Sequence, residues 1–135
     1  MKVAIIGSRN LYIDNLDKYI PEDTDEIVSG GAVGIDTCAK EFALKNNIKL
    51  TEFFPEYNKY KKYAPLKRNI KIIDYADIVI AFWDGKSKGT KFVINECKKI
   101  NKKLIVYNIS IEKRTLWEGA FVVWIIKVLL LRVLF

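Results

Sequence analysis

The feature that most constrains this chain is a pattern that occurs three times: a short apolar run breaks into a glycine-bearing turn, and a helix-patterned stretch follows. Residues 1–6 (MKVAII) lead into Gly7-Ser8-Arg9, residues 26–29 into Gly30-Gly31, and residues 77–83 (DIVIAFW) into a loop over 84–89. A continuous apolar run such as DIVIAFW is expected where both faces of a strand are covered. Further strands are predicted at 48–54 and 103–109. Helices are predicted over 11–20, from 34 to 46, from 65 to about 75, and over 90–101. Pro65 suits a first helical turn. Strands alternating with helices at this spacing predict an α/β fold: a three-layer sandwich with a mainly parallel sheet of about five strands and helices on both faces.

At 135 residues, half of them hydrophobic, the chain is long enough to bury the core of one domain without staples. It contains no histidine, which excludes Ser-His-Asp and Cys-His catalysis, histidine-ligated metals and an imidazole base. Cys38 and Cys97 lack any CxxC partner, so no metal site is expected. Two lone cysteines and no recognisable signal peptide predict a cytoplasmic protein. Residues 1–57 carry a net charge of −4 and residues 58–135 a net of +11. That asymmetry suits an anionic partner for the second half, or simply solvated lysine faces.

The pattern ends near residue 109, so 1–109 reads as the folded domain and 110–135 as an apolar C-terminal extension. Residues 116–135 (LWEGAFVVWIIKVLLLRVLF) are interrupted only by Glu118, Lys127 and Arg132. About 20 apolar residues can span a bilayer, but a lysine near the middle costs roughly 2.5–3.5 kcal/mol. The tail therefore reads as a buried helix or subunit contact, with a membrane tail and a non-native extension as the other readings. As an apolar surface it would suit a homo-oligomer.

Ligands of open α/β sheets bind at the carboxyl ends of the strands, so the three turns are expected to share one crevice. In the first, Gly7 permits close approach, Ser8 supplies a hydroxyl and Arg9 a fork of donors for phosphate. In the second, SGGAVGID, the amides behind Gly30, Gly31 and Gly34 face an anion at a helix N-terminus. Asp36 falls in that helix's first turn, where it either caps the helix or holds a ribose hydroxyl. The stretch lacks the GK[ST] ending of a Walker P-loop. In the third, Asp84, Gly85, Ser87, Gly89 and Thr90 surround two lysines ahead of another helix. Arg68 and Asn69 follow a basic, tyrosine-rich loop (57–63). Being adjacent, they are not expected to share a helical face fully.

GSR, SGGAVGID, the RN pair and DIVIAFWDGKSKGT, in this order, resemble the SLOG superfamily of Rossmann-like proteins. The likeness spans about residues 1–109 and is nearest to the YspA-type (cpYpsA-related) branch, with more distant similarity to the Smf/DprA core and to LOG lysine-decarboxylase-like proteins. It implies a Rossmann-like sheet and a pocket for a nucleotide or nucleotide-derived ligand. The matching positions are Gly7, Ser8, Arg9, Gly30, Gly31, Gly34, Asp36, Arg68, Asn69, Asp84, Gly85, Ser87, Gly89 and Thr90. LOG enzymes carry PGGxGTxxE with a catalytic glutamate; here Val93 holds that position and Glu96 lies one turn further on. The first expectation is thus a nucleotide-binding sensor or module that needs no cofactor. A second is an N-glycosidic or phosphate-bond hydrolase, whose acid or base would be Asp36, Asp84 or Glu96. A third is DprA-like binding of single-stranded DNA through the lysines and tyrosines of 57–71.

Overall fold

The computed structural model describes residues 1–109. The expectations for 110–135 and for the 116–135 tail lie outside the described residues. Five strands form one sheet: β1 (Lys2–Gly7), β2 (Glu26–Ser29), β3 (Lys49–Glu52), β4 (Ile78–Trp83) and β5 (Leu104–Asn108). Their order is β3-β2-β1-β4-β5, and every pairing is parallel. Three long helices, α1 (Ile35–Lys45), α3 (Ala64–Tyr75) and α4 (Lys88–Lys99), connect them. A short helix α2 (Tyr57–Tyr60) and a 3-10 turn (Lys61–Tyr63) lie ahead of α3, where the sequence reads as a loop. The fold is the Rossmann-like three-layer α/β sandwich expected.

The two-residue period of the strands explains why their apolar runs are unbroken. Val3 and Ile5, Ile27, and Ile78, Ile80 and Phe82 face one side, where Ile35, Cys38, Ala39 and Ala43 of α1 pack on them. Ala4 and Ile6, Val28 and Val79 face the other, against Ile72 and Ile73 of α3 and Val93 and Cys97 of α4. The chain runs outward from β1 to β3 with α1 on the first face. It then returns to β4 and β5 with α3 and α4 on the second. Face and direction reverse together, as one-handed crossovers require.

The helix predicted over 11–20 is absent. Leu11, Leu16 and Ile20 are buried in the α1-side core, but through irregular chain. Leu16 and Ile20 stand four apart, as in a helix, but Leu11 lies five before Leu16, and Asn15 accepts a bond from the Asp17 N–H at 3.0 Å, a local turn that competes with helix. Further turns close from Tyr19 N–H to the Leu16 carbonyl and from Thr24 N–H to the Pro21 carbonyl.

Candidate functional site

The strand order reverses between β1 and β4, which is where open parallel sheets leave a crevice at their carboxyl ends. A cleft of about 520 Å³ opens there. The turns after β1, β2 and β4 all reach it, together with the first turns of α3 and α4. Of the predicted residues, Gly7, Arg9, Gly30, Asp36, Arg68, Asn69, Asp84, Ser87, Gly89 and Thr90 line it. Ser8, Gly31, Gly34, Gly85 and Glu96 do not appear among its lining residues.

Contacts explain this division. Ser8 is buried; its Oγ accepts a bond from the Asp84 N–H at 3.2 Å, and its own N–H donates to the Phe82 carbonyl at 3.1 Å. It ties the first turn to the third. Gly34 has φ +78°, and a Cβ there would collide with the Arg9 carbonyl group. A Cβ on Gly31 would strike the Phe54 ring. These residues allow the turns to approach one another, and other residues face the cleft. Gly7 does both, since a Cβ on it would collide with Ile35.

Arg68 is the best-held cation at the site, with only 8% of its surface exposed. Its Nη1 donates to the Gly30 carbonyl at 2.6 Å, and its Nε donates to Asn69 Oδ1 at 2.9 Å. The adjacent pair thus shares the cleft wall after all, because the guanidinium curls onto its neighbour. Burial pulls the Arg68 pKa down, and the carboxylate of Asp36 opposes that. Arg9, by contrast, is exposed at the mouth.

Asp36 accepts the Ala32 N–H at 3.1 Å, so it closes the glycine loop ahead of α1. Burial raises its pKa, outweighing the Ala32 N–H and the Arg68 charge that pull it down. Asp84 differs. Burial pushes its pKa up, but Oδ1 accepts the N–H groups of Ser87 (2.7 Å) and Lys86 (2.8 Å), and the net pKa lies below the usual carboxylate value. Ser87 caps α4, its Oγ accepting from the Thr90 N–H. Trp83, not singled out in sequence, braces this loop by donating its indole N–H to the Ser87 carbonyl at 3.0 Å.

Sequence reading also missed Asn10, Ala32 and an apolar strip of Ile6, Pro65, Leu66 and Ile72, and it noted Lys86 only as a neighbouring charge. A signal existed for part of this. Ile72 stands four residues beyond Arg68 and three beyond Asn69, hence on the same helical face. Val93 is fully buried in the α3–α4 core and packs there rather than lining the cleft. Comparison with known proteins finds no matching family model, no matching curated protein and no matching solved structure.

Proposed function

We propose that the cleft binds a nucleotide or nucleotide-derived anion, and that the protein acts as a SLOG-type sensor or binding module of the YspA branch. The observation that carries this reading is the convergence of three glycine-bearing turns, Arg9 and Arg68 on one cleft at the sheet's switch point. Its volume is in the range of small-molecule sites. The strip of Ile6, Pro65, Leu66 and Ile72 offers a flat apolar part, such as a base, somewhere to lie. Arg9, Lys86 and the amides of the first turn of α4 offer donors to phosphate. Asp36 and Asp84 offer acceptors to ribose hydroxyls. The reading places the protein in the cytoplasm, where Cys38 and Cys97, both buried, remain thiols. Among the described residues, no helix is long and apolar enough to cross a membrane.

The test is a thermal-shift screen against nucleotides, cyclic nucleotides, ADP-ribose, NAD and short oligonucleotides. A ligand at a hundred times its Kd stabilises by about 2.7 kcal/mol. Arg9→Ala should weaken binding on the order of ten- to hundredfold. Because Arg9 is exposed, the ligand-free melting temperature should not change. Silence from every small ligand would sink the reading.

A second reading, hydrolysis of a nucleotide N-glycosidic or phosphate bond, has one observation in its favour: Asp36 and Asp84 line the same cleft with pKa values displaced in opposite directions. Mass spectrometry of the stabilising mixtures separates the two readings, since free base or ribose phosphate would appear only with an enzyme. DNA binding has weaker support. Lys59 and Lys67 lie over the Tyr60 ring and Lys62 over Tyr63, so part of the basic loop is engaged locally.

A further inference from the structure

Asn69 carries information about the ligand that its residue type alone does not. Its Oδ1 lies 2.9 Å from Arg68 Nε. A guanidinium offers only N–H donors, so the amide atom facing it is the oxygen. The orientation of this amide is therefore set by its partner's chemistry. Arg68 is in turn fixed, through Nη1, to the carbonyls of Gly30 at 2.6 Å and Phe53 at 3.4 Å. A Cβ on Gly30 would lie 2.6 Å from Nη1, so the contact is close enough to hold the guanidinium in place. Asn69 lines the cleft, and with Oδ1 held by Arg68 its Nδ2 group, which only donates, is the part of the amide that Arg68 does not engage.

We infer that Asn69 is the specificity-determining residue of the cleft: its amide, oriented through Oδ1 by Arg68, turns its Nδ2 donors to the ligand and selects one whose group at the α3 wall is an acceptor. This rests on the ligand-binding reading above. The acceptor is either a phosphoryl oxygen or the keto oxygen of a base. A ligand that placed an amino group there would set donor against donor and leave both unpaired in a partly dry site.

Asn69→Asp and Asn69→Ala test this by calorimetry with inorganic phosphate, AMP, ADP-ribose, guanosine, inosine and adenosine, beside the ligand-free melting temperature. Aspartate keeps an oxygen towards Arg68, so the fold should hold, but it turns the donors into an acceptor. Affinity should fall about tenfold in the alanine variant and on the order of a hundredfold in the aspartate variant. Loss confined to phosphate-bearing probes identifies a phosphoryl group. Loss for guanosine and inosine, with adenosine spared or improved, identifies a keto group. Variants that bind every probe within about twofold of the wild type would overturn the inference while leaving the ligand-binding reading intact. So would a fall in ligand-free melting temperature large enough to account for the whole loss, which would make Asn69 merely a brace for Arg68. A wild-type chain that binds none of the probes overturns both.

Discussion

Asp36 and Asp84 line one cleft in opposite surroundings, and the difference can be measured. Asp36 is buried beside Arg68, with the Ala32 N–H as a hydrogen-bond donor, and burial holds its pKa above the ordinary carboxylate value. A group raised in the folded state contributes stability below its unfolded pKa and loses it as pH rises through the folded pKa. Relative to Asp36→Asn, the wild type should therefore lose stability as pH is raised from about 3.5 towards neutrality. Paired melting curves of the two proteins check this. A gap that is constant with pH would mean that Asp36 titrates normally. At this scale sequence reading singled out Asp36, which lines the cleft, but left open whether it caps the helix or meets a ligand. Only the neighbouring backbone N–H of Gly30 and guanidinium of Arg68, brought in from other elements, give it its environment. Ser8 shows the converse: its serine-after-glycine pattern suggests phosphate, yet its hydroxyl is used between β1 and β4.

Among the elements, strands and helices were legible wherever period and punctuation agreed. β4 is bounded within one residue of the apolar run that predicts it, and α3 begins one residue before Pro65. The 11–20 segment was misread because Ile13, Leu16 and Ile20 are spaced three and four apart, which imitates a helix face, while local turns hold the chain in irregular form. The stretch ahead of α3 was underread, and it holds a strained residue. Lys61 has φ 53° and ψ −128°, a combination suited to glycine, where α2 ends and the 3-10 turn begins. Such a backbone costs a side-chain-bearing residue about 1–3 kcal/mol. The added flexibility of glycine in the unfolded chain offsets roughly 0.5–1 kcal/mol of any gain. Lys61→Gly should thus raise stability by about 1 kcal/mol, read as a higher urea midpoint. A lower midpoint would mean that the Lys61 side chain, which donates to the Asn58 carbonyl at 3.2 Å, holds the segment together.

Across the whole molecule, protection should follow the sheet order. β1 and β4 are central and covered on both faces; Val3, Ala4, Ile5, Val79, Ile80, Ala81 and Phe82 are fully buried. Among the described residues β5 is an edge strand, with a partly exposed surface that includes Ile105. Native-state hydrogen exchange should therefore be slowest at β1 and β4 and faster along β5. Protection of β5 equal to that of β4 would show its open edge to be covered in solution. The sequence by itself determined the alternation of strand and helix and the three turns that open helices, because period and glycine placement act locally along the chain. It also excluded histidine chemistry outright. What the tertiary structure decided is which of those residues meet. The order β3-β2-β1-β4-β5 sets the turns after β2 and β4 on either side of β1, so that Arg68 of α3 reaches the Gly30 carbonyl, 38 positions earlier. Such meetings depend on strand order and crossover face, and no short window of sequence contains them.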